Sequence, residues 1–511
     1  MRPFPVYCRT RLRTRLSYGL LAGGLLAAAA APSAYAQTLP AYSVVQNFNG
    51  GFFGGSSGNN NDRFIPPDTM GAVGTTQFGE LINGGYAVYS KTDSLVSMTT
   101  DQQFWNNAGL TAAASPGVFD PRIQYDSSSG HWFAAELANA LGSINNQLLV
   151  AVSNSADLTA GFKGYAFNTY SGTSQNFFAD FDTLGVNSSG VYVGLNNFSS
   201  SGNFASTSVL AVDKASLISG ASSTPASDLF YNQDPNTTGF APHPVSDTSG
   251  SSTEYVLGDY NTPAGYQTLS TITGTTATLN GGGPNIAVTG YNGPPAATQQ
   301  GTTATIDSGD TRYSGGVVKV GTIIYGLQTV QDPASQLSAL RLVGIDTAQG
   351  NATVLDQLIG SPTLNYYEPS LAINASGQAV IGFSSSGAGQ YASSDAIVGQ
   401  LNSAGTAITL SGPTTLASGL GTYDVTFGGT ENRWGDYSST TLDPTDPTKF
   451  WTIQEYASGT NQWSTQISEI GIAGPSAAPE PSQVAGLGFA AFGVLGLTLR
   501  ARRRKAVEAG S

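Results

Sequence analysis

Thr183-Leu-Gly-Val-Asn187-Ser-Ser-Gly190-Val-Tyr-Val reads as two short apolar strands joined by a polar turn. The same form returns in Pro369-Ser-Leu-Ala-Ile-Asn374-Ala-Ser-Gly377-Gln-Ala-Val-Ile-Gly. With one residue inserted it is also present in Arg122-Ile-Gln-Tyr-Asp126-Ser-Ser-Ser-Gly130-His-Trp-Phe. Turns of this kind are expected to place their Asn, Asp or Gly residues at positive φ, as hairpins require. Looser copies begin near Gly71, Pro242, Arg312 and Arg433. Between Gln37 and Ala478 the apolar runs are short, as in Gln147–Val152 and Val317–Tyr325, and no long helical period appears. About seven units of roughly 58 residues fill Phe64 to Ile472. A four-stranded propeller blade takes about 40–50 residues plus loops. The expected fold is therefore an all-β propeller over 64–472 with seven blades, six being the alternative count. The strand near Tyr42–Gln46 is placed to complete the last blade. A pair of β-sandwiches or a β-solenoid stays open, because the repeats are degenerate. Gly50–Asn61 and Thr273–Thr305 read as long loops.

The body between the two ends is acidic, with 10 Lys+Arg against 31 Asp+Glu, a net charge of −21. Phosphate binding needs clustered Lys and Arg, so the charge argues against a nucleic-acid or anionic-membrane partner, and no nucleic-acid partner is expected. The one cysteine, Cys8, precedes the body, which leaves neither disulfides nor a thiolate nucleophile there. His131 and His243 are too far apart in sequence for a zinc pair, and His131 reads as a strand residue.

Both ends carry sorting features. Arg9, Arg11, Arg13 and Arg15 precede an apolar run from Leu20 to Ala31. Ala34-Tyr35-Ala36 then fits a small-x-small cleavage site before Gln37, so 1–36 reads as a signal peptide for the secretion machinery. At the other end, a linker (473–478) leads to Pro479-Glu480-Pro481, an apolar span 484–499, and then Arg500, Arg502, Arg503, Arg504 and Lys505. Sixteen residues at about 1.5 Å each reach roughly 24 Å, a little short of a ~30 Å hydrocarbon core. The basic cluster keeps the C-terminus cytoplasmic and the body outside. An ordinary tail anchor is the plain alternative. The residues 479–505 resemble the PEP-CTERM sorting domain of Gram-negative bacteria. That resemblance implies processing by an exosortase near Pro479-Glu480-Pro481, transient membrane attachment through the helix, and a host that makes exopolysaccharide.

The body resembles a loosely defined group of exported, sialidase-like propeller proteins. Pro66-Pro-Asp68-Thr-Met-Gly-Ala-Val-Gly74, Asp120-Pro-Arg122-Ile-Gln-Tyr-Asp126 and Arg433-Trp-Gly-Asp436-Tyr-Ser438 carry the likeness. Propeller sialidases clamp a substrate carboxylate with three arginines, which bidentate geometry favours. Here Arg122, Arg312 and Arg433 each open a repeat and are candidates to converge on the channel, with Asp68, Asp120, Glu368 or Asp436 as acidic partners. Against this, Asp120, Asp310 and Glu431 each stand two residues upstream of one of these arginines. That regularity favours structural ion pairs, and the Ser-x-Asp-x-Gly-x-x-Trp repeat is absent. Asp180 and Asp182 are weak calcium candidates, as is the oxygen-rich Asn59–Asp62. No other cofactor is suggested. The five tryptophans serve either as sugar platforms or as filler between blades. The expectation is an exported surface or matrix protein that binds polysaccharide or protein. A carbohydrate-active hydrolase and a purely structural matrix component are the alternatives.

Overall fold

The computed structural model describes residues 38–53, 64–138, 146–171, 177–221, 224–259, 265–273, 278–281, 284–425 and 431–474. The signal peptide, the Pro479-Glu480-Pro481 signal with its apolar span, and Asn59–Asp62 lie outside the described residues. Within those described, no helix is long and apolar enough to cross a membrane.

The chain forms seven antiparallel meanders, the blades of a β-propeller. Blade 1 runs from Gly71–Val73 to Leu95–Thr99, blade 2 from Val118–Asp126 to Phe162–Asn168, and blade 3 from Phe177–Val186 to Ser227–Gln233. Blade 4 begins at Phe240–Pro244, blade 5 at Val318–Val320 and blade 6 at Asn365–Ile373. Blade 7 takes three strands from the C-terminal end, Ser439–Leu442, Lys449–Gly459 and Gln462–Ile472. Its fourth strand is Tyr42–Phe52 from the N-terminal end. Tyr42 pairs with Ile472 and Asn49 with Gln466, so the ring closes through strand hydrogen bonds between residues more than 400 positions apart. The N-terminal strand thus belongs to the propeller, and Gly50 and Gly51, expected in a loop, lie inside that strand. A Cβ on Gly50 would sit 2.4 Å from Thr465 Oγ1 and 2.6 Å from Glu80 Oε1, which is why glycine stands there. Glu80 fixes the closure: it accepts from Gly51 N (2.9 Å), Tyr89 Oη (3.0 Å) and Thr465 Oγ1 (2.6 Å).

The repeated turns work differently from the expectation. Asn187, Asn374 and Asp126 do not adopt positive φ. Their side chains fold back, so that Asn187 Oδ1 accepts from the backbone N–H of Ser189 and Gly190, and Asn374 Oδ1 from that of Ser376 and Gln378. This is the Asx-turn device. Only Gly130 (φ 71°) and Gly377 (φ 76°) of these turns are left-handed.

Alternating side chains of neighbouring sheets interlock between blades. Phe133, Leu148 and Val150 of blade 2 pack with Leu184, Val193 and Leu195 of blade 3. All five tryptophans are fully buried, so they fill the space between elements and none is a sugar platform.

Candidate functional site at the channel rim

The innermost strand of each blade faces the central channel, and most of these strands share a local distortion. Pairing with the second strand slips between Phe119 and Arg122, between Asp180 and Thr183, between Phe240 and His243, and between Tyr367 and Ser370. Within each slip one residue is left-handed: Asp120 (φ 58°), Phe181 (52°), Ala241 (46°) and Glu368 (47°). Asp68, ahead of blade 1, matches them at 49°. Such a conformation costs a non-glycine residue of order 1–3 kcal/mol and persists where the surroundings over-determine it. β-Bulges re-aim side chains. Three of these five strained residues, Asp68, Asp120 and Glu368, are carboxyls at one end of the channel.

A hydrogen-bond chain joins four blades there. Asp436 N donates to Asp68 Oδ1 (2.7 Å), and Asn83 Nδ2 donates to Asp68 Oδ2 (2.6 Å). Asp120 N donates to Asn83 Oδ1 (3.0 Å), and Phe181 N donates to Asp120 Oδ2 (2.9 Å). Over the rim lie the connection 288–317 and the segment 431–438. Thr305–Ile306 of one pairs in parallel with Glu431–Asn432 of the other, and Asn432 Nδ2 donates to the Thr305 carbonyl (2.9 Å).

These connections and the rim enclose a cavity of about 210 Å³, lined by Asp307, Asp310, Arg312, Glu368, Arg433 and Asp436 together with Gly309 and Ser314. Arg312 holds Asp310 with two hydrogen bonds, Nε to Oδ1 (2.7 Å) and Nη2 to Oδ2 (2.6 Å), and lies 4.0 Å from the Phe181 ring centre. Arg433 bridges Asp307 (2.9 Å) and Asp436 (2.9 Å). Burial, reinforced by the charges of Asp436 and Asp307, pushes the Glu368 carboxyl well above the usual carboxylate range. Burial and Asp436 raise Asp68 to about 7. Asp120 is also well above its ordinary value, from burial and then Asp180. The site therefore sets fixed, ion-paired carboxylates beside buried carboxyls whose affinity for a proton is raised.

The three arginines do not meet. Arg312 and Arg433 line the rim cavity, whereas Arg122 lies deeper in the channel. It donates from Nε to the Asp182 carbonyl (2.8 Å) and from Nη1 to the Ser314 carbonyl (3.0 Å), and it stacks 3.4 Å from the Tyr437 ring centre. The regular upstream ion pair holds only for Asp310 with Arg312. Arg122 turns to backbone carbonyls instead of Asp120, and Arg433 to Asp307 and Asp436 instead of Glu431. All four carboxylates named from sequence, Asp68, Asp120, Glu368 and Asp436, are at the rim. Asp307, the tie residue Asn83 and Glu455, which accepts from Gly435 N (2.8 Å), were not foreseen. Among the described residues no group of three or more His, Cys, Asp or Glu side chains is arranged to hold a metal. Of the two weak calcium candidates, Asp182 is fully buried, with Arg122 as its main opposing charge.

No family model matches the chain, and no curated protein matches it. Among solved structures, a protein of unknown function from Dyadobacter fermentans DSM 18053 is 8% identical with a TM-score of 0.39, covering 69% of this chain and 94% of its own. The NanB sialidase of Streptococcus pneumoniae is 9% identical with a TM-score of 0.39, covering 77% and 82%. The arabinanase Arb43A of Bacillus subtilis is 15% identical with a TM-score of 0.31, covering 58% and 98%.

Proposed function

We propose that this propeller is an exported, surface-delivered module that holds extracellular polysaccharide in the rim cavity. The carrying observation is that Arg312 and Arg433 are already ion-paired, Arg312 through two hydrogen bonds to Asp310 and Arg433 through Asp307 and Asp436. A clamp for a carboxylate needs free guanidinium forks. Ion-paired forks, held in place by their carboxylates, instead present their remaining N–H donors and the carboxylate oxygens as a fixed array, which suits the neutral hydroxyls of a sugar. Delivery follows from the signal peptide ending at Ala36 and from the Pro479-Glu480-Pro481 signal, read by an exosortase. Glu480→Ala is expected to leave the tail uncleaved, a difference seen in the mass of the mature protein; an unchanged mass contradicts the sorting reading.

A second reading rests on Glu368. A carboxyl with a raised proton affinity facing the same cavity as the ion-paired carboxylates Asp310 and Asp436 is the arrangement a glycosidase uses, with one group as acid and another as base or nucleophile. One experiment separates the two readings. The protein is titrated with exopolysaccharide from its own host, with and without calcium, and new reducing ends are assayed in the same tubes. Saturable binding without new ends supports the module. New ends that vanish in Glu368→Gln support the hydrolase, and neither binding nor product defeats both.

A further inference from the structure

The far end of the channel has the opposite character. Beyond the bulges the innermost strands line a second cavity of about 260 Å³, walled by Met70, Ala72, Leu184, Val318, Leu371 and Ile373. In a body with a net charge of −21, no Asp or Glu among the described residues lines it; its charged residues there are Arg122 and Lys319. Lys319 is matched by Asp247 at 2.7 Å. Arg122 is not matched: it is 2% exposed, it takes part in no salt bridge among the described residues, and its Nη2 has no hydrogen-bond partner. Asp182 forms no salt bridge with it: both Asp182 carboxyl oxygens lack a hydrogen-bond partner among the described residues, and burial raises that carboxyl above its ordinary value. His243, whose Nδ1 donates to the Tyr313 carbonyl (2.9 Å), is pushed down to about 3 by burial and Arg122 and is neutral.

A buried guanidinium without a counter-ion is costly, and an anion brought beside it recovers much of that cost. Apolar walls favour a hydrocarbon body behind the anionic head. We propose that this cavity binds a small carboxylate-headed amphiphile, its head at Arg122 and its hydrocarbon chain along Met70, Leu184, Leu371 and Ile373. The volume equals that of about nine waters at roughly 30 Å³ each, which suits a chain of roughly eight carbons. The site is separate from the rim cavity, so it stands or falls independently of polysaccharide binding.

The test is calorimetric titration of the full chain with sodium octanoate, beside 1-octanol and octylamine. Two variants accompany it. Arg122→Met removes the charge. Gly316→Leu fills the cavity from a lining position where an added Cβ meets nothing within 4 Å. The expected result is saturable octanoate binding, at least tenfold weaker in Arg122→Met and lost in Gly316→Leu, with octylamine inert. Absence of saturable octanoate binding, equal affinity for 1-octanol, or unchanged affinity in Arg122→Met would overturn it. Should Arg122→Met fail to fold, the head-group series and Gly316→Leu still discriminate: octanoate that binds no better than 1-octanol, or that binds Gly316→Leu as it binds the parent, overturns the proposal.

Discussion

The two ends of the channel differ in construction and in chemistry: the innermost strands of all seven blades line the far end, whereas the rim cavity is lined by the connections carrying Asp307–Ser314 and Arg433–Asp436, with Glu368 its one innermost-strand residue. The rim collects carboxylates and ties them with Asn83, Arg312 and Arg433. The far end mixes aliphatic walls with neutral polar side chains and, among the described residues, holds Arg122 without a salt bridge. The bulges contribute to the difference. Within the bulge of blade 2 and that of blade 6 a carboxyl faces the rim, Asp120 and Glu368 respectively. After each of these bulges the ordinary strand alternation resumes, with Ile123 in blade 2 and Leu371 in blade 6.

The largest effect that separates the ends is in pH dependence. Asp182 (about 8), Asp68 (about 7) and Asp101 (about 6) all have folded-state values above 3.8, each chiefly through burial. The folded protein then binds more protons than the unfolded chain between pH 4 and 8. Their contribution is fully present below about pH 4 and is lost as the pH rises through the folded values, so stability falls across that window, at up to roughly 1.4 kcal/mol per group per pH unit. Denaturant unfolding at several pH values is expected to show this decline, and Asp182→Asn is expected to flatten it. A maximum of stability at pH 8 in the parent protein would contradict the assignment.

A smaller effect is expected at the tie between blades 1 and 2. Asn83 donates to Asp68 and to the Pro66 carbonyl and accepts from Asp120 N. Asn83→Ala leaves buried partners unpaired and is expected to cost about 3 kcal/mol, read as a lowered denaturant midpoint. The smallest effect on stability is expected at Arg433. Its side chain is 43% exposed, so water screens both ion pairs, and Arg433→Ala is expected to cost about 0.5 kcal/mol. Polysaccharide affinity in the same variant is expected to fall about tenfold, which separates a binding role from a structural one.

Much of this was legible in the sequence, for identifiable reasons. The seven blades follow from the spacing of the Asn/Asp-x-x-Gly turns, and Tyr42–Gln46 is short and apolar enough to mark the closing strand. Asp68, Asp120, Glu368 and Asp436 stood out because they lie beside prolines or in the Arg-Trp-Gly-Asp motif. Convergence of the arginines failed on register. Arg122 lies inside its innermost strand, Val118–Asp126, whereas Arg312 and Arg433 come six residues before theirs, which begin at Val318 and Ser439. Residues at different heights along a channel cannot share one ligand head. Asp307 escaped notice because the pairing that places it joins Thr305 to Glu431, 126 residues away, and such a contact leaves no local pattern.

The most direct test of the rim as the polysaccharide site is to titrate host exopolysaccharide into the parent protein, Arg433→Ala and Arg122→Met side by side. The account predicts weakened binding in Arg433→Ala and parent-like binding in Arg122→Met. Loss in Arg122→Met with retention in Arg433→Ala would move the saccharide to the wrong end of the channel and contradict it.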